Sequence, residues 1–334
     1  MRVRRDLVSI PPRLDITRQR FAGLTWLTAV YGYLLIISGG IVRVTGSGLG
    51  CGESWPLCDG SFFPGPQGAS WIDWSHRVML LALIVPVGMI VWSAVKNRMH
   101  PGFGGRDGAA RPVFWVVVLL ILQLTFSALA ASTELALSLS SLYSVSALLL
   151  VGVLLVASVR ARGPGFGADD PFAVRRFAHS ATIGVMIGFV VIAFGALTAN
   201  LGLDAGGSAP SAAALACQGF PLCNGELVPK VGGAGLVYMH WMHRVLAYLL
   251  LFHIIGATAI AFRRGASLQV RRAALASLIL AVMQITVAML LVVYHLPTSV
   301  RILHLVVGAA LWMALVIWAA SARQDLARLD QEVG

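Results

Sequence analysis

Charge is scarce in this 334-residue sequence: Asp, Glu, Lys and Arg make up 12% of it. A soluble globular enzyme carries about a quarter, so that class is excluded. Disorder is excluded by the opposite shortage, because 58% of the residues are hydrophobic and so apolar a chain does not stay solvated. No P-loop, GxSxG elbow or HExxH occurs, so those signatures offer no chemistry. Cysteine is rare, four residues in all, and acids are outnumbered by bases to a net charge of +11. Nucleic-acid binding is one reading of that excess, and the placement of the charges speaks against it.

What the chain has instead is apolar runs. About 20 such residues cross a bilayer, and eight runs qualify: 22–45, 72–95, 112–132, 139–159, 177–199, 237–262, 273–294 and 300–321. Hydrocarbon offers backbone groups no partner, so each run is read as a helix. The first 21 residues are too polar and arginine-rich for a cleaved signal peptide and read as a tail. All but five of the 25 Lys and Arg fall in the two tails and the loops after spans two, four and six; the exceptions are Arg43, Arg77, Lys230, Arg244 and Arg301. The positive-inside rule then puts both termini in the cytoplasm and the remaining loops on the outer face of the cell membrane. The basic excess is a topology signal, and no nucleic-acid partner is expected.

The halves of the chain echo each other. Pro56-Leu57-Cys58-Asp59-Gly60 returns as Pro221-Leu222-Cys223-Asn224-Gly225, and Trp74-Ser75-His76-Arg77-Val78 as Trp241-Met242-His243-Arg244-Val245. Gln123 and Tyr143 match Gln284 and His304 at equal spacing. Each half has an even number of spans, so the repeats share one orientation about an axis along the membrane normal. The expected fold is all-α integral membrane: eight transmembrane helices as two pseudo-twofold-related four-helix bundles. The expected divisions are a cytoplasmic tail 1–21, a first bundle 22–160, a cytoplasmic linker 161–176, a second bundle 177–321 and a tail 322–334.

Eight histidines occur, and an ionisable group within a span is costly and usually functional. His243 and His304 start spans that run the same way in one bundle, so they lie at matched depth near the outer side. Two imidazoles on facing helices can ligate one heme iron axially; as a zinc site the pair lacks carboxylates and thiolates. In the first bundle His76 matches His243, but Tyr143 stands in the His304 slot. A phenolate can ligate ferric heme, and a tyrosine that merely packs is an equal reading. The first site then holds a macrocycle by one histidine and leaves its iron open. Asp73, three residues before His76, shares its helix face, suited to proton handling or charge stabilisation; a solvated interfacial acid is the bland alternative. Arg43, Arg77, Arg244 and Arg301 suit heme propionates by their carboxylate-matching forks or snorkel to headgroups. His100 and His179 lie at the cytoplasmic edge, His253 deep in span six, and His240 and His295 take no more than a secondary role.

All four cysteines, Cys51, Cys58, Cys217 and Cys223, lie in two long outer loops. That is the oxidising side, so two loop-local disulfides are expected. A four-cysteine zinc site is the alternative, at spacings that are not the usual ones.

The run Gly40-Ile41-Val42-Arg43-Val44-Thr45-Gly46-Ser47-Gly48-Leu49-Gly50-Cys51, then Trp55-Pro56-Leu57-Cys58, together with Ser75-His76-Arg77 and its copy His243-Arg244, resembles the heme A synthase family. The resemblance covers about residues 22 to 321. It implies an oxidoreductase that converts the C8 methyl of heme O into the formyl of heme A for cytochrome oxidase assembly. It implies heme b between His243 and His304, the substrate heme at His76 and the Tyr143 position, and a catalytic carboxylate at Asp73. It also implies cysteine pairs Cys51/Cys58 and Cys217/Cys223, and a heme O-supplying enzyme as partner. Two departures stand out: Tyr143 replaces a family histidine, and Asp73 is one methylene shorter than the family glutamate. The competing class is a heme b-binding electron carrier or heme-handling assembly protein with a degenerate N-terminal site. A transporter is the weaker third reading, because no span pairs a Gly/Pro break with a charged residue at mid-depth other than histidine. The electron donor and oxygen source are not legible, and a homo-oligomer stays open.

Overall fold

Apolar runs become helices throughout. A computed structural model describes residues 16–105, 107–132, 136–165, 170–201, 209–230 and 235–333. In it run α1 (Ile16–Val44), α2 (Gly68–Ala82), α3 (Ile84–Lys96), α4 (Arg111–Ser132), α5 (Ala136–Arg162), α6 (Pro171–Asn200), α7 (Ala212–Leu215), α8 (Gly235–Arg263), α9 (Leu268–Val293) and α10 (Thr298–Val333). Eight segments are long and apolar enough to cross a membrane, one of them formed by α2 and α3 together. The protein is an all-α, multi-pass membrane protein, with no strand among the described residues beyond two isolated bridges, Cys58 with Ser61 and Cys223 with Glu226. Residues 1–15 of the expected tail and 166–169 of the expected linker lie outside the described residues.

Three features differ from the sequence reading. Span two is broken at Leu83. Pro86 is the cause: its ring clashes with the carbonyl of residue 82 and it donates no hydrogen bond. A one-turn helix, α7, sits in the second cysteine loop, capped by the Ser211 hydroxyl accepting from Ala214 N. The residues expected as a C-terminal tail continue α10 to Val333. Asp325 Oδ1 accepts from Gly165 N at 2.8 Å and Arg328 donates to Gly165 O at 3.2 Å. These contacts fasten the extra turns to the segment joining the two halves. Elsewhere helix starts are conventional: Asp170 caps α6 ahead of Pro171, and Ser267 caps α9.

One core group draws on α1 to α5 with Ala309, Trp312 and Val316 of α10; a second draws on α6, α8, α9 and α10. Across the seam Trp312 Nε1 donates to Leu148 O at 2.7 Å, Tyr33 Oη to Val306 O at 3.2 Å and Arg43 Nη1 to Ala199 O at 3.0 Å. Gly40 of α1 lies against Leu305 of α10 with no room for a Cβ. Hydrocarbon supplies no hydrophobic drive between helices, so close approach and hydrogen bonds hold such a seam.

Candidate functional site

In the first half, α2 carries His76, which is buried. Its Nδ1 lies 3.3 Å from Ser38 Oγ and its Nε2 lies 3.0 Å from Tyr143 Oη of α5. The ring rests on α1 at Gly39, where an added Cβ would come within 3.0 Å of Cε1. From α4, Gln123 Nε2 donates to Tyr143 O at 3.0 Å and Ser146 Oγ at 2.6 Å.

The second half repeats this frame with different chemistry. His243 of α8 rests on Gly195 of α6, where an added Cβ would come within 2.9 Å of Cε1. Its Nδ1 lies 3.0 Å from Val191 O. A carbonyl only accepts, so Nδ1 carries the proton and Nε2 keeps its lone pair. From α9, Gln284 Nε2 donates to His304 O at 3.1 Å and stands 3.2 Å from each ring nitrogen of His304 on α10.

Outside each imidazole a disulfide-closed loop is pinned by the arginine that follows the histidine. Cys51 bonds Cys58 and Cys217 bonds Cys223. Arg77 donates to Leu57 O at 2.8 Å and Gly52 O at 3.0 Å. Arg244 donates to Gly219 O, Leu222 O and Cys217 O at 2.8, 2.9 and 2.8 Å. Trp74 Nε1 reaches Phe62 O at 2.7 Å and Trp241 Nε1 reaches Leu227 O at 2.8 Å. Asp59 and Asn224, each opening a tight Asx-Gly turn, have φ of 49° and 54°, a region these side chains tolerate better than most. The cysteines are all paired, and no cluster of three metal-ligating side chains occurs among the described residues.

Asp73 is only 4% exposed, with its carboxylate turned under the first loop. It accepts from Cys51 N at 3.1 Å and pairs with Arg77 through Nη2 at 2.9 Å and Nε at 3.3 Å. Its repeat partner His240 does the corresponding job, Nδ1 donating to Ala213 O of α7 at 3.1 Å. His253 donates from Nε2 to Ser180 O at 2.9 Å, as a satisfied core histidine does. His100 sits by its neighbour's carbonyl in a surface turn and His179 lines a cleft at the opposite end of the molecule. His295 lies in the turn after α9 with φ of 56°.

Four residues that shape this frame had no role in the sequence reading. Gly39 and Gly195 seat the two imidazoles, and Gln123 and Gln284 brace the fourth helix of each half. The glutamines were visible as a repeat without a role; the glycines give no signal beyond recurring one helix before each histidine.

The donor chemistry of the second half fits a heme iron: it offers two imidazoles, on α8 and α10, one with Nδ1–H fixed on a backbone carbonyl, which sets the tautomer for Nε2 ligation. The first half does not bracket an iron as it stands. Axial ligand atoms at metal–imidazole distances of about 2 Å would be about 4 Å apart, whereas His76 Nε2 and Tyr143 Oη are hydrogen-bonded to each other at 3.0 Å.

Comparison with known proteins places the chain in a family. Residues 22–72 and 67–316 match the family model COX15-CtaA, cytochrome oxidase assembly protein. The chain is 30% identical to heme A synthase of Alkalihalophilus pseudofirmus over 69% of its own length and 72% of that protein's. It is 29% identical to that of Bacillus licheniformis over 72% and 76%, and 28% identical to that of Symbiobacterium thermophilum over 84% and 89%. The chain therefore belongs to the COX15-CtaA family of cytochrome oxidase assembly proteins.

Proposed function

We propose that this protein is a heme A synthase, an oxidoreductase that converts the C8 methyl of heme O into the formyl group of heme A for cytochrome oxidase biogenesis. The carrying observation is the imidazole seat built twice, His76 on Gly39 and His243 on Gly195, within a chain of this family. A heme b held by His243 and His304 would supply one-electron chemistry when bound. His243 is held for that role by its Nδ1 bond to Val191 O, and the His304 backbone is anchored by Gln284 Nε2 donating to its carbonyl. The substrate macrocycle is proposed to sit in the first half on His76. There Tyr143 holds its hydroxyl against Nε2 until substrate enters, and afterwards is the nearest phenol for a proton at the open face. Asp73 acts through the loop it fastens, together with Arg77. Arg244 spends its donors on loop carbonyls and Arg77 on loop carbonyls and Asp73, so a propionate would share them with those groups. The basic ends and both termini are proposed as cytoplasmic and the disulfide loops as extracytoplasmic. The partner is a heme O-supplying enzyme.

The test is expression with a heme O source under air, followed by extraction and mass analysis of the hemes. Heme A in the extract supports the reading; heme O unchanged removes it. One observation favours a second reading, a heme b-binding electron carrier or assembly protein whose first site is degenerate: the direct His76–Tyr143 contact with Asp73 already engaged. Under it, His76→Ala leaves function intact while His304→Ala abolishes it.

A further inference from the structure

At the end of the molecule away from the disulfides, α5, α9 and α10 enclose an open cleft of about 340 Å³ that lies between the two halves. It is lined by Arg162, Arg272, Gln269 and Ser321 and by apolar side chains, of which Val159, Ala273 and Ala314 are buried and Ala276 is exposed. No carboxylate lines it among the described residues. The nearest acid along α10, Asp325, is buried and accepts from Gly165 N. Arg162 stacks on Trp26 at 5.2 Å, and both arginines are exposed. Two cations beside an apolar lining, at the level where a bilayer's headgroups meet its chains, match an amphiphile with a negative head. A second cleft, between α6, α8 and α10, is lined by Arg175, Arg176 and His179, but Arg175 is taken by Asp330 at 3.0 Å.

We infer that the cleft between α5, α9 and α10 is a binding site for one anionic phospholipid, its phosphate between Arg162 and Arg272 and its acyl chain along Ala276 and Ala314. The lipid touches helices of both halves and so ties them together at the end opposite the imidazoles. This site is independent of what the imidazoles bind, and its test does not read heme.

The test uses the full chain, purified from bilayers of phosphatidylcholine with or without phosphatidylglycerol, and counts retained lipid by native mass spectrometry. One phosphatidylglycerol per chain is expected to survive detergent exchange. Arg162→Gln and Arg272→Gln are each expected to weaken retention about fivefold, the equivalent of about one surface arginine's attraction to an anionic headgroup. Ala276→Phe, which crowds the exposed apolar lining and leaves both arginines, is expected to weaken it as well, so a misfolded arginine variant does not decide the matter. Equal retention of phosphatidylcholine overturns the inference, as does full retention in the arginine variants. Displacement of the lipid by millimolar inorganic phosphate overturns it too, marking a simple anion site.

Discussion

Tyr143 Oη stands 3.0 Å from His76 Nε2, and the residue that answers Tyr143 in the other half of the chain is His304. One half therefore has a phenol hydrogen-bonded to an imidazole, and the other a pair of imidazoles. The two sites share corresponding helices, glycine seats and glutamine braces; they differ at this contact, at the Nδ1 partner (Ser38 Oγ against Val191 O) and at Asp73 against His240.

If Tyr143 is the difference that decides heme ligation, Tyr143→His gives the first site its second imidazole. The expected result is a second low-spin, bis-imidazole heme signal in electron paramagnetic resonance, with heme per chain rising toward twofold. Tyr143→Phe removes only the hydroxyl and is expected to leave the second-half heme signal unchanged, at a stability cost of about 1 kcal/mol.

The glycine seats give opposite outcomes in the two halves. Gly195→Val pushes a side chain into the His243 ring. It is expected to cost about 1–3 kcal/mol by overpacking and to release heme b on purification. Gly39→Val is expected to disturb His76 alone and leave heme b content at the wild-type value. Heme-to-protein ratios of the two variants check this.

Much of this was legible in the sequence. The eight spans announce themselves as apolar runs, and equal spacing of Gln123–Tyr143 and Gln284–His304 fixes which histidine answers which. Pro86 gave a readable reason for a break near Leu83, though an unbroken run of apolar residues masks it. For Asp73 helix geometry leaves two neighbours open. Its i+3 neighbour His76 and its i+4 neighbour Arg77 share one face, and the structure shows the carboxylate taken by Arg77 and Cys51 N. The continuation of α10 was hidden because its last turns are polar. They are held by Asp325 and Arg328 against a glycine 160 and 163 positions away, a contact no local pattern reveals.

The loop anchors should differ in cost. Arg77→Ala strands Asp73 as a buried, unpaired carboxylate and is expected to destabilise by about 3–5 kcal/mol. Arg244→Ala strands only carbonyls and should cost less, about 1–3 kcal/mol. Thermal unfolding in one detergent, with the double variant Asp73→Asn, Arg77→Ala recovering part of the loss, measures the difference.

Gln284 Nε2 donates to the His304 carbonyl and stands against its ring. Removing a group that orients a metal-ligating imidazole typically costs about 10–100-fold in affinity. Gln284→Ala is expected to show that loss for heme b in a heme-transfer assay against apomyoglobin. Gln123→Ala, the same change in the first half, should leave heme b affinity unaltered.

The central claim is that His243 and His304 grip one heme b. Pyridine hemochrome and electron paramagnetic resonance of purified protein, compared with His243→Ala and His304→Ala, test it most directly. The account predicts one low-spin, bis-imidazole heme b per chain that disappears in both variants and persists in His76→Ala. A colourless wild-type protein, or the same low-spin signal surviving in His304→Ala, would contradict it.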